Sequence, residues 1–170
     1  GTGVNQDGRT SSLTAPNGPS QVALLERVRR ESGVDRMDIY ECHGTGTRLG
    51  DPIEVRSIAK VWGAGERKMY LGSAKQNIGH LEGGAGVVGI IKLCLQLNHR
   101  TVVPNLFKRL NAMIVESLEE TGVERFEFPQ RLVRINESTL VGAVSSFGFG
   151  GTNAHAILRC ADGLDVRDFR

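Results

Sequence analysis

Apolar positions recur at two spacings along the chain, one helical and one short and strand-like. Val22, Leu24, Leu25 and Val28 form a stripe after Pro19, and Gly33 closes it, so a helix is predicted over 19–32. A second helix starts at Asp51-Pro52-Ile53-Glu54. There Asp51 is expected to cap, Pro52 takes the first position, and Glu54 follows three residues after the cap. It carries Ile58, Ala59, Val61 and Trp62 and stops at Gly63. The longest apolar stretch, 85–97, reads as a third helix, apolar nearly all round and so buried on most sides. Short apolar runs at 37–42, 69–74, 140–145 and 154–158 read as strands, the last two joined as a hairpin. Residues 1–18 read as loop, 104–137 as irregular, and 161–170 as the start of a linker. Helices between short apolar strands, with loops at strand ends, make this an α/β layered pattern.

Composition narrows the function classes. A chain of 170 residues with 39% hydrophobic content suits one domain with a real core. The net charge is +2 and the basic residues are scattered, which argues against nucleic acid as a partner. The stretch 85–97 is too short to span a bilayer and carries Lys92 and Gln96, so no membrane is expected. Three cysteines (Cys42, Cys94 and Cys160) form no CxxC, and none of the 4 histidines are spaced as ligand pairs. No metal site is therefore expected, and a reducing, cytoplasmic setting is. The 22 glycines cluster in 43–50, 79–89 and 142–151, as tight turns and close backbone approach require.

Those clusters hold the candidate chemistry. His43 stands in Glu41-Cys42-His43-Gly44-Thr45-Gly46-Thr47, at a strand end among small residues and two hydroxyls. That arrangement suits an imidazole aimed at a carbonyl; the alternative is a turn histidine bonded to nearby backbone. His80 stands in Lys75-Gln76-Asn77-Ile78-Gly79-His80, also read as a loop, before the apolar helix. The positive end of that helix would keep its ring neutral, able to donate to a carbonyl or enolate; the alternatives are a capping histidine and a surface lysine. In 146–153 the alternation of Phe147 and Phe149 with glycine leaves backbone N–H groups free for an oxyanion, or else marks a hairpin with two core phenylalanines. None of the cysteines sits at a helix start beside a base, so no nucleophile accompanies the histidines. His99 and His155 read as exposed and structural respectively. Neither GxxxxGK[ST] nor a post-strand GxGxxG is present, which argues against a nucleotide binder.

Together Asn5-Gln6-Asp7-Gly8, Leu13-Thr14-Ala15-Pro16-Asn17-Gly18, Glu41 to Thr47 with Gly50-Asp51-Pro52-Ile53-Glu54, Lys75 to His80 and Ser145 to His155 resemble the β-ketoacyl synthase (ketosynthase) family, most of all its modular polyketide synthase branch. The resemblance spans 1 to about 160 and implies the C-terminal half of a thiolase-like layered fold, a mixed sheet with a buried central helix. It implies decarboxylative condensation of acyl and malonyl-type thioesters. His43 and His80 would be the catalytic histidines and Lys75 the lysine that orders the site. Thr45 and Thr47 would bond the pantetheine arm. Phe149 and Gly150 would contact substrate, with the Phe149 N–H in an oxyanion hole and its ring as a gate. No tightly bound cofactor is implied; substrate arrives on the phosphopantetheine of an acyl carrier protein.

The family's Ala-Cys-Ser-type nucleophile motif does not occur in these residues, so the chain is expected to be half of a ketosynthase, inactive alone and prone to aggregate. Its partners would be the N-terminal half, the carrier protein and a second copy in a homodimer. The alternatives are a non-catalytic ketosynthase-like partner and a carrier-binding module. Ala112-Met113 stand where the family commonly has proline and histidine, and Gly89 stands where many stand-alone ketosynthases carry glutamate.

Overall fold

The computed structural model describes residues 1–8 and 16–160. Residues 13–15 of the Leu13-to-Gly18 motif and the expected linker at 161–170 lie outside them.

The strands are β1 (Thr2–Gln6), β2 (Ile39–Glu41), β3 (Met69–Gly72), β4 (Thr101–Val102), β5 (Phe126–Glu127), β6 (Val133–Arg134), β7 (Val141–Phe147) and β8 (Thr152–Arg159). The helices are α1 (Gly18–Ser32), α2 (Gly50–Trp62), α3 (Lys75–Ile78), α4 (Ala85–His99) and α5 (Ala112–Thr121), with a 3-10 turn at Glu82–Gly84. Six strands form one mixed sheet in the order β1-β8-β7-β2-β3-β5, and β4 pairs with β6 apart from it. Strands β7, β2, β3 and β5 run parallel, whereas at one edge β8 pairs antiparallel with β7 and β1 antiparallel with β8.

Alternate residues of the central strands face opposite layers, as the period of two requires. Tyr40, Leu71, Ala143 and Ile157 pack with Leu24, Leu25 and Val28 of α1 and Val55, Ile58 and Trp62 of α2. Ile39, Val144 and Leu158 face the other way, onto Leu93 and Leu97 of α4. The sheet is covered on both faces, which is why the runs around its parallel strands are largely apolar rather than alternating.

Several expectations are corrected here. Residues 2–6 are not loop but the edge strand β1, whose glycine permits close packing: a Cβ on Gly3 would lie 2.6 Å from Val28 Cγ2. Pairing with β8 overrides the local turn propensity. The Lys75 motif is not a plain loop, since Lys75–Ile78 closes one helical turn. The irregular region contains α5, capped by Asn111, whose side chain accepts the Met113 N–H, and stopped by Gly122 in the left-handed region. Ala112 takes the first turn there without a proline. The apolar helix spans α4 as expected and lies centrally on its sheet face, but it is buried along one side only. Val87, Ile91 and Leu95 are 59%, 52% and 53% exposed, and Cys94 is half-buried rather than core. Among the described residues no helix is long and apolar enough to cross a membrane, and no cluster of candidate metal ligands occurs.

Candidate active site

Parallel strands deliver their C-terminal ends to one edge of a sheet. Three neighbours, β7, β2 and β3, do so here. The loop after β2 carries His43, that after β3 carries Lys75 and His80, and that after β7 carries Phe149. The topology thus assembles the three glycine-rich motifs, distant in sequence, around one cleft of about 760 Å³.

The two imidazoles stand edge to face with ring centroids 5.9 Å apart, and Phe147 packs on His43 at 5.4 Å. Each ring is oriented by backbone. The Phe147 N–H donates to His43 Nδ1 at 3.2 Å, and the Glu82 N–H donates to His80 Nδ1 at 2.8 Å. A ring accepting at Nδ1 carries its proton on Nε2, so both histidines are Nε2–H donors. Burial, reinforced by Lys75 and His80, lowers the His43 pKa to about 4 and keeps it neutral. At His80 the tautomer is set by a single backbone N–H, that of Glu82 in the 3-10 turn that leads into α4.

Carboxylates shape the His43 loop in a way the sequence reading missed. Glu54, 3% exposed, accepts the N–H groups of His43 at 2.7 Å and Gly44 at 2.9 Å. Asp51 accepts the Gly46 N–H at 3.1 Å. Neither forms the expected capping box: Leu49 is the N-cap of α2 and makes no side-chain cap bond. The carboxylates turn instead toward the glycine-loop donors, which otherwise lack acceptors. That need, combined with two acids on a first helical turn beside a glycine loop, was the available signal. Burial pushes Glu54 up to about 7 despite its two N–H partners.

Thr45, Thr47, His80 and Phe149 line the same cleft as His43. Thr47 Oγ1 accepts the Gly50 N–H at 3.1 Å and lies 3.5 Å from Thr45 Oγ1. Lys75, half-buried, lines an adjoining cleft of about 660 Å³ that shares Thr45, Glu54 and His80 with the first. Burial lowers its pKa, against the pull of Glu54 and Glu41. Phe149 is 74% exposed, so the reading of the hairpin phenylalanines as core does not hold for it. Among the described residues no partner accepts the Phe149 N–H. Gly150 lines neither cleft. Burial and the nearby Glu54 and Glu41 push the Cys42 thiol well up, opposite to a nucleophile. His155 is structural: it is buried, bonded through Nδ1 to Ser145 Oγ at 3.0 Å and stacked on Tyr40.

The family model described as "Beta-ketoacyl synthase, C-terminal domain" matches residues 1–108. The chain is 44% identical over 171 residues to the hybrid PKS-NRPS synthetase iliA of Neonectria sp. (strain DH2), covering 95% of this chain and 4% of that protein. It is 43% identical to polyketide synthase GfsA of Streptomyces halstedii, covering 93% of this chain and 2% of that protein. Among solved structures, the ketosynthase from module 1 of the bacillaene synthase of Bacillus amyloliquefaciens FZB42 superposes with a TM-score of 0.87 at 34% identity, covering 96% of this chain and 32% of that one. The chain thus spans a few hundredths of these synthases and about a third of a solved ketosynthase, and its fold is thiolase-like. It belongs to the β-ketoacyl synthase family, as a C-terminal ketosynthase domain of the polyketide synthase kind.

Proposed function

We propose that this chain supplies the two-histidine half of a ketosynthase performing decarboxylative condensation, and that the attacking cysteine comes from a polypeptide segment outside these residues. The observation that carries the reading is the pair of Nδ1-anchored imidazoles, both left as Nε2–H donors beside one cleft.

In this reaction a malonyl-type thioester loses carbon dioxide. The electron pair of the breaking carbon–carbon bond passes into an enolate, and negative charge gathers on the thioester oxygen. Neutral N–H donors held in place stabilise that oxygen without having to give up a proton. The enolate carbon then attacks the acyl group on cysteine. The resulting oxyanion collapses, expels the thiolate and leaves a β-ketoacyl thioester. The unengaged Phe149 N–H would serve that oxyanion, and its exposed ring would gate the acyl group. Gly150 would let substrate pass close to the hairpin. Thr45 and Thr47 would bond the phosphopantetheine arm of an acyl carrier protein, and Lys75 would order the histidine side of the site. Alone the chain would be inactive.

The test uses the synthase that contains this chain. His43→Ala and His80→Ala should each slow carbon dioxide release and β-keto product formation by about 100-fold or more. Acyl loading of the cysteine, read by mass spectrometry, should persist. Undiminished condensation in either variant would overturn the proposal.

A further inference from the structure

Behind the imidazole cleft lies an ion pair between a buried carboxylate and a partly buried lysine. Glu41, 2% exposed, ends β2 two residues before His43. Its Oε2 accepts a hydrogen bond from Lys92 Nζ at 2.6 Å, and its Oε1 accepts the Ala74 N–H at 2.5 Å. Ala74 is the residue from which α3 starts, and Lys75 is the first residue of that turn. Lys92 belongs to α4. One helical turn earlier, Gly89 lies against the same carboxylate: a Cβ there would be 3.2 Å from Glu41 Cγ and 3.1 Å from Val144 Cγ2. One carboxylate therefore joins the strand that leads into His43, the turn that starts at Lys75 and the helix that follows His80.

The turn needs such an anchor. It has four residues and none is buried, so packing holds little of it. Its other ties are weaker or superficial. Ser73 Oγ accepts the Lys75 N–H at 3.4 Å, and Gln76 Oε1 accepts the Leu106 N–H at the surface. A carboxylate as deep as Glu41 favours its neutral form. The strongest influence against that is Lys92, followed by the Ala74 N–H and Lys75.

We propose that Lys92 is a positioning residue: by pairing with Glu41 it fixes the 74–79 turn, and so holds Lys75 and His80 in register with His43. This rests on the reading of those three as site residues.

The test compares Lys92→Met, Glu41→Gln and the double variant in the full synthase containing this chain. Methionine keeps a long stem without charge. Glutamine keeps an acceptor for the Ala74 N–H and leaves no carboxylate to be stranded. Lys92→Met should lower kcat for condensation by about 10-fold, with the extender KM within about 2-fold and acyl loading unchanged. The double variant should return to within about 3-fold of Glu41→Gln alone, because the harm in Lys92→Met is the stranded carboxylate. Hydrogen exchange read by mass spectrometry should show faster exchange over 73–81 in Lys92→Met and no change in α1 or β7. An unchanged kcat, an additive double variant, or equal loss of loading, condensation and protection everywhere would overturn the proposal. A parent synthase that does not condense would sink the functional reading instead, and exchange over 73–81 alone would then decide the role of Lys92.

Discussion

At the scale of single residues, the site depends on which nitrogen of each imidazole carries the proton. Backbone N–H groups settle that at His43 and His80, and burial keeps His43 neutral. The sign of the pH dependence follows. An unfolded histidine takes its proton near pH 6.5, whereas His43 in the fold resists until about 4. Stability from the neutral ring is therefore present above about pH 6.5 and lost as pH falls toward 4. Glu54 acts oppositely. Its raised pKa of about 7 favours the fold below the ordinary 4.5 and loses that favour as pH rises through 7. The two slopes offset each other in any bulk melting experiment, so a site-specific probe is required. An NMR titration of the His43 ring should show its inflection near pH 4, and an inflection between 6 and 7 would show that the ring is not desolvated. The placing of both histidines in loops after strands was legible in the sequence, since each follows an apolar run and stands among glycines; either motif alone left a turn or capping histidine open. Glu54 was not, since a glutamate three residues after an aspartate and beside a proline has the appearance of a capping box.

At the scale of elements, the loops after β2, β3 and β7 are held by close approach as much as by hydrogen bonds. Gly44 has φ +49°, and a Cβ there would lie 2.7 Å from the Ser73 Cβ, so the His43 loop and the strand-end loop after β3 touch through a missing side chain. Gly150, at the hairpin tip, has nothing within 4 Å of a Cβ. Gly44→Ala should therefore cost more than about 1 kcal/mol of unfolding free energy and push His43 and His80 apart, while Gly150→Ala stays within about 0.5 kcal/mol. Equal effects, measured by denaturant unfolding, would refute the packing argument. The same local-versus-tertiary contrast explains which elements could be read from sequence. Helices α1 and α2 carry apolar stripes and glycine stops that agree with their packing, whereas α4, apolar nearly all round, was legible as a helix but not in which side it buries. Strand β1 carries the turn formers Gly3 and Asn5 and exists because β8 is there to pair with it. Helix α5 had its cap at Asn111, its stop at Gly122 and a stripe of Ile114 and Leu118, but the stripe is one turn long and sits among polar residues.

At the scale of the whole molecule, the outward face of α4 is the main unfinished surface. Val87, Ile91 and Leu95 are each more than half exposed, and Ile91 and Leu95 join Ile78, Val88 and Leu132 around an apolar groove of about 660 Å³. A contiguous apolar face of this kind on a soluble protein marks a surface meant to be covered. Under the proposed function the polypeptide that brings the cysteine would be the cover, since the chain spans 32% of a solved ketosynthase. The 170-residue chain by itself should then bind an apolar dye and sediment as a range of assemblies rather than one species. Glutamates placed at Ile91 and Leu95 should abolish the dye binding and return the isolated chain to a monomer. In the full synthase the same two substitutions should prevent folding or sharply lower its melting temperature, because each would bury an unpaired charge. A monodisperse parent chain that binds no dye, or a full synthase indifferent to both glutamates, would mean that α4 faces water in the working protein. The sequence reading of that helix as buried on most sides would then be wrong about the assembly as well as about the isolated chain.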